Sequence, residues 1–150
     1  MLENTVREVK YGPGIVIRLY RIMRFFQLHH CRILAKGMCC IIRILFACVI
    51  PPTAELGKGC RMPHGLGIVI HHRAIVGDNT TIYQHVTIAG SGGGVPRIGS
   101  NCIIGAGAFL HGAIALGNNV KIGANAVVLS DIPDNCTAVG IPAKIVKGKE

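Results

Sequence analysis

His64 stands in the stretch Met62-Pro-His-Gly-Leu-Gly-Ile-Val69, where glycines flank Leu66 and the backbone has unusual freedom. An imidazole that is neutral near pH 7 can take the proton of a hydroxyl as that hydroxyl attacks a carbonyl, so His64 reads as a candidate general base. His85, just after Gln84, is a candidate second site residue, with a structural role equally open. His71 and His72 are adjacent, so in extended backbone they project to opposite sides and do not readily share a metal. His111 reads as structural or interfacial, and His29-His30-Cys31 as a polar helix end, because one short patch without partner spacing is a poor metal site. Gly92-Gly93-Gly94 lacks the Lys-Ser/Thr that follows a phosphate loop, and neither a dinucleotide fingerprint nor a nucleophile elbow occurs.

These residues are carried by an internal repeat. An aliphatic residue returns at every sixth position through Leu56, Met62 and Ile68, then Ile70, Val76, Ile82 and Ile88, and again through Ile98, Ile104, Leu110, Leu116, Ile122 and Val128. Period six fits neither an α-helix nor a lone amphipathic strand; it suits a solenoid in which each hexad supplies a short strand and a turn, three hexads to a coil. Residues eighteen apart then stack. An antiparallel sandwich is the alternative, but strand alternation alone does not hold a six-residue phase over so many repeats. Glycine or alanine commonly follows the aliphatic position, serving positive φ or a close approach of backbones. Small or medium residues such as Cys60, Ala74, Thr80 and Ala108 come four places after it, where a corner is tight. Two defects break the phase. A slip of two residues between Ile68 and Ile70 reads as a bulge near His64, and the ten-residue step from Ile88 to Ile98 reads as a loop thrown out within Ser91–Pro96. Loops projecting from a rigid repeat are frequent places of substrate contact.

The chain of 150 residues has a formal net charge of +9 and no tryptophan, which agrees with a core of stacked aliphatic side chains. The basic excess sits in residues 1–49, a basic, apolar arm before the solenoid domain of residues 50–150. Such an arm suits an anionic lipid surface, nucleic acid or an acidic substrate. The seven cysteines form no evident disulfide framework and no Cys-x-x-Cys pair, so a reducing cytoplasm is expected. The first ten residues read as a polar start without a secretory leader. After the Tyr11-Gly-Pro-Gly14 punctuation, Ile15 to Phe26 is predicted helical, with Arg18, Arg21 and Arg24 along one face. Gln27 to Cys31 reads as a connector, and a second helical run from Ile33 to Ile50 is expected to stop at Pro51-Pro52. Lys36 and Arg43 argue against a simple membrane span; packing on the solenoid or a neighbouring subunit, and lying on a membrane surface, are the alternatives. A helix would also cap the open end of a solenoid. Solenoid hexads are expected from Thr53 onward. At the far end, Lys144 and Lys147 suit an anionic ligand.

The hexad array, His64-Gly-Leu-Gly-Ile-Val69, Val86-Thr-Ile-Ala-Gly90 before a glycine loop, Ile104-Gly-Ala-Gly-Ala108, Lys121-Ile-Gly-Ala-Asn-Ala-Val-Val-Leu129 and Val139-Gly-Ile-Pro-Ala-Lys-Ile-Val146 together resemble the hexapeptide-repeat acyltransferases. Among these, the serine acetyltransferase-like branch and its relatives in capsule and exopolysaccharide synthesis are the most similar, over about Pro51 to Lys147. The resemblance implies an all-β, left-handed parallel β-helix with a short N-terminal helical segment, assembled as a homotrimer with active sites between adjacent subunits. It implies acetyl-CoA as co-substrate, no metal and no nucleic acid, and a small-molecule or saccharide acceptor. His64 would be the base for direct attack on the thioester. Ala89, Gly90, Ala106 and Ala124 would line the slot for the pantetheine arm, Lys144 would lie near the nucleotide phosphates, and His85 and Val95 are the candidate acceptor-binding residues.

Departures from that pattern concern the acceptor. The branch carries an orienting aspartate where this chain has Val49, a second where it has Pro63, and an Arg-His pair where it has Gly94-Val95 on a shorter loop. A backbone carbonyl is the expected substitute for the missing carboxylate. The expected activity is serine acetyltransferase-like O-acetylation, with a sugar hydroxyl in capsule or exopolysaccharide synthesis as the alternative acceptor, towards which the missing acids shift the weight. A non-catalytic β-helix scaffold is the alternative of another class. A carbonic anhydrase of similar fold would need three histidines at neighbouring coil positions, for which His64, His85 and His111 are poorly spaced. The expected location is the cytoplasm, with the arm able to touch the inner membrane face.

Overall fold

A computed structural model describes Gly12 and residues 14–147. The readings of the polar start, of Tyr11 and Pro13 in the punctuation, and of the Lys147 side chain and the tail beyond it fall outside the described residues. Two helices, α1 (Ile15–Leu28) and α2 (Arg32–Phe46), precede thirteen short strands. In chain order these are β1 (Glu55–Leu56), β2 (Val69–Ile70), β3 (Ile75–Val76), β4 (Thr81–Ile82), β5 (Thr87–Ala89), β6 (Arg97–Ile98) and β7 (Ile103–Ile104). They continue with β8 (Phe109–His111), β9 (Ala115–Leu116), β10 (Lys121–Ile122), β11 (Val127–Val128), β12 (Thr137–Val139) and β13 (Lys144–Lys147).

The strands form three sheets, parallel except where β13 joins β12, the faces of a left-handed triangular prism of about five coils. The first face is β1-β3-β6-β9, the second β4-β7-β10-β12-β13 and the third β2-β5-β8-β11. The predicted stacking appears in the later coils, where Ile98 pairs with Leu116, Ile104 with Ile122 and Leu110 with Val128. The aliphatic position of each hexad points inward and is buried throughout, as are the corner residues Cys60, Ala74, Thr80, Val86, Cys102, Ala108, Val120 and Ala126. Burial pushes the thiols of Cys48, Cys60 and Cys102 up from their ordinary range. The last two donate to the carbonyls of Gly77 and Gly117 at 3.2 Å, so they are structural corner groups rather than nucleophiles.

Three expectations need correction, and one open choice is decided. The first coil starts before Thr53, because Val49 already bridges Val69 and Cys48 and Ile50 are buried. Accordingly α2 ends at Phe46, turned by Ala47 in the left-handed region (φ 51°), well short of the two prolines. The slip of two residues is not between Ile68 and Ile70. Arg61 bridges Thr81 while Val69 pairs with Thr87, and Ile68 is buried one step before the third-face strand, the corner place that Val86, Ala108 and Ala126 hold in later coils. The extra residues therefore sit at Pro63–Gly65, and the six-residue step from Met62 to Ile68 is a coincidence of spacing. Finally, Gly57, Gly77, Gly99, Gly105, Gly117 and Gly123 have no positive φ; of the two reasons considered, close approach is the operative one. A Cβ on Gly105 would stand 2.6 Å from the Ala124 nitrogen and 2.7 Å from the Ile122 oxygen, inside the next coil.

Both ends of the prism are closed. The carbonyls of the first coil have no preceding strand, and α1 lies across them. Tyr20 donates its hydroxyl to Ala54 O at 2.5 Å, Arg24 donates to Ala54 O at 2.7 Å and Pro52 O at 3.1 Å, and Arg21 donates to Leu56 O at 2.7 Å and Gly57 O at 2.5 Å. The predicted row of arginines is thus divided: Arg21 and Arg24 cap the solenoid, and Arg18 remains exposed. At the other end β13 folds back antiparallel onto β12, covering an edge that would otherwise be free to pair with another chain.

Two outcomes follow from this construction. Gly105→Ala will lower stability by about 1–3 kcal/mol, the cost of overpacking where backbone rather than a flexible side chain must move, read as a reduced urea midpoint. Replacing Arg21 and Arg24 together by Met will strip charge-assisted bonds from the first-coil carbonyls and cost about 3 kcal/mol on the same readout.

Candidate active site

The corner between the second and third faces is a continuous column of turns held by coil-to-coil hydrogen bonds. His85 N donates to Leu66 O at 2.9 Å, Gly107 N to Gln84 O at 2.9 Å and Asn125 N to Ala106 O at 2.8 Å. Leu66, Gln84, Ala106 and Ala124 therefore stack along one edge, spaced about 4.8 Å per coil. In the first coil the two extra residues bulge out of this column, closed locally by the Leu66 N to His64 O bond of 2.8 Å. His64 is exposed at the tip, its ring centroid 6.2 Å from that of Tyr83. The helical arm braces the bulge from below. Gly65 lies against Val16 so closely that a Cβ there would meet the valine at 2.5 Å, and Gly67 N donates to Phe46 O at 3.0 Å.

Beside His64, the next column along this edge is Gly67, His85, Gly107 and Asn125, all in the left-handed region. His85 adopts φ 57°, a region uncommon for non-glycine residues but one that histidine enters more readily than most, and its imidazole fills the space that glycine leaves at position 67. Gln84 has a buried Oε1 without a hydrogen-bond donor. Further along the edge, beyond Ala106 and Ala124, Val139 covers Gly123, and Lys144 pairs with Val139 on the outermost strand, exposed. From bulge to last strand the edge presents the His64 imidazole, then Gln84 and His85, then the small side chains of Ala106 and Ala124, then a cation.

Ala89, Gly90 and Val95 belong to a different edge, between the third and first faces. Gly90 is enclosed by Val95, 2.6 Å from its Cβ position, and by His71 at 3.2 Å. The loop is pinned by reciprocal bonds between Ser91 and Gly94 at 2.8 and 3.0 Å, and Gly112 N donates to Ala89 O at 3.1 Å. Beside it a cavity of about 280 Å³ is lined by Arg73, Gly94, Val95, Arg97, Ala113 and Asp131 among others. His111 closes the third-face column opposite Ala89, stacked on Phe109 at 5.5 Å. One chain thus brings His64, His85, Ala106, Ala124 and Lys144 to one edge and Ala89, Gly90 and Val95 to another. His111 is on the latter side, apart from His64 and His85, and among the described residues no group of three or more His, Cys, Asp or Glu side chains is placed to hold a metal ion.

Comparison with known proteins agrees with this architecture. The family described as bacterial transferase hexapeptide (six repeats) matches residues 96–130. Serine acetyltransferase of Helicobacter pylori is 40% identical over 139 residues, covering 89% of this chain and 81% of its own length. The chain belongs to the serine acetyltransferase family. The enzyme of that name from Synechococcus elongatus is also 40% identical over 139 residues, with 89% of this chain and 57% of its own length covered. A solved serine acetyltransferase in complex with CoA superposes with a TM-score of 0.81 at 36% identity, over 87% of this chain and 55% of that one. The chain spans little more than half the length of these last two.

Within this member of the family, the sequence pattern did not single out Tyr83 and Gln84, which flank the bulge in the next coil. The place after the aliphatic position often holds glycine or alanine, but Tyr83 shares its departure from that with Pro63, His71, His111 and Leu129, so the pattern gave no signal specific to it. The left-handed backbone at position 85 limits what can stand there. Because asparagine tolerates the left-handed region and a β-branched residue does not, His85→Asn will leave the urea midpoint unchanged, whereas His85→Val will lower stability by about 1–3 kcal/mol.

Proposed function

We propose that this chain is an acetyl-CoA-dependent O-acetyltransferase, with His64 as general base and an acceptor hydroxyl as nucleophile. The observation that carries the reading is the bulge at Pro63–Gly65, which sets an exposed imidazole at the head of an edge that continues past Gln84 and His85 to the small residues Ala106 and Ala124, in a chain of the serine acetyltransferase family. In the proposed reaction His64 accepts the hydroxyl proton as the oxygen attacks the thioester carbonyl. The tetrahedral adduct collapses to the acetyl ester, and CoA leaves as its thiol on return of the proton. No acyl-enzyme is formed.

The small side chains of Ala106 and Ala124 leave room for a thin pantetheine chain laid along the coils, and Lys144 supplies positive charge at the far end for the nucleotide phosphates. CoA is held by the solved relative described above. The separation of His64 from Ala89, Gly90 and Val95 on two edges supports a homotrimer in which each site is shared by two subunits, one giving its histidine edge and the other its loop edge.

Serine is the first acceptor to test, from the relatives' names. A second reading, a sugar hydroxyl, is favoured by one observation: Gly94 and Val95 give the loop no charged side chain with which to hold an amino-acid carboxylate. Thiol release from acetyl-CoA, followed with serine and a panel of sugars, decides between them. With the accepted acceptor, His64→Ala will lower kcat by roughly 10²–10⁴-fold with little change in the KM for acetyl-CoA. Unaltered turnover in that variant would remove His64 from the mechanism, and no turnover with any acceptor would favour the scaffold reading.

A further inference from the structure

Helix α2 has two apolar faces, and only one is covered. Ala35 and Ile42 are buried, with Met38, Cys39 and Phe46 packed beside them. On the opposite side Ile33, Leu34, Ile41, Ile44 and Leu45 are exposed, Ile33 by 86% and Ile44 by 80%. At about 100° per residue these five fill an arc of about 120°, bordered by a row in which Arg32, Lys36 and Arg43 fall within about 40° of one another. All three cations are exposed. Between Gly12 and Ala54 the sequence holds six Lys and Arg and no Asp or Glu. Arg21 and Arg24 are engaged in capping the first coil, which leaves Arg18, Arg32, Lys36 and Arg43 exposed.

We propose that this face of α2 rests on an anionic lipid surface, its five aliphatic side chains entering the headgroup–acyl boundary and its row of cations meeting lipid phosphates at the rim. Charge selects this occupant. A second copy docked on the same face would set one cation row against another with no acid between Gly12 and Ala54 to offset it, whereas anionic headgroups complement the row. The helix lies on the surface rather than through it, since no helix among the described residues is long and apolar enough to cross a membrane. The solenoid below would then stand with α1 and its first coil towards the lipid.

Sedimentation of the full chain with vesicles tests this, using phosphatidylcholine alone and phosphatidylcholine mixed with phosphatidylglycerol. The protein is expected to sediment with the mixed vesicles and to be released by raised salt. Arg32→Gln, Lys36→Gln and Arg43→Gln combined should weaken that binding roughly a hundredfold, and Ile33→Ser with Ile44→Ser should abolish it. Because these positions are exposed, solution mass and thermal midpoint should be unchanged in both variants. Equal binding to both vesicle types would overturn the role of charge. Absence of binding to either type would overturn the proposal, and if the solution mass of Ile33→Ser/Ile44→Ser also falls, the face belongs to an interface between copies.

Discussion

Everything in this molecule depends on the hydrogen bonds that run from one coil to the next. Strands of two or three residues have no stability of their own; each persists because its N–H and C=O groups are met by the coils above and below. That requirement brings the coils to about 4.8 Å and dictates what the corners will tolerate. Glycine at 57, 77, 99, 105 and 117 leaves out the Cβ that would strike the backbone of the next coil, and at 123 the one that would strike the Val139 side chain. At the corner between the first and second faces, Cys60, Thr80 and Cys102 each donate to a glycine carbonyl in the neighbouring coil. A ladder of this kind has two open ends, and the chain closes one with the arginines of α1 and the other with the antiparallel return of β13.

The same ladder explains how a flexible-looking motif becomes a positioned group. Two extra residues cannot be absorbed by a register that fixes Arg61 opposite Thr81 and Val69 opposite Thr87, so they are expelled as the bulge that carries His64. Val16 against Gly65 and Phe46 O on Gly67 N then limit where the bulge can go. The N-terminal helices are therefore part of the support for the candidate base as well as the lid of the solenoid. The same helix α1 carries the capping Arg21 and Arg24 and the Val16 that meets Gly65.

Much of this was legible beforehand because a solenoid is close to one-dimensional. The six-residue aliphatic phase, the small corner residues and the loop at Ser91–Pro96 follow from local sequence, and each reappears in the structure with the same residues. Where the reading failed, non-local pairing had overruled local spacing. Ile68 lies six residues from Met62 and passes for a hexad residue until Val69 is seen to pair with Thr87. The Pro51-Pro52 pair is a strong stop, yet α2 ends at Phe46 because residues 48–50 are recruited into the first coil by Val69. Glycine had two possible uses after the aliphatic position, and only the distance to the next coil chose between them.

By itself the sequence determined the repeat, hence the solenoid, and the candidate base, because both rest on residue types at fixed short spacings. Which residues share an edge was decided only by the tertiary structure. His64, His85, Ala106, Ala124 and Lys144 come together along one corner, while Ala89, Gly90 and Val95 go to another, although Ala89 is nearer in sequence to His85 than Ala106 is. The physical reason is that each coil turns through three faces, so a few residues of sequence carry the chain around a corner while sixteen to twenty-two return it to the same edge.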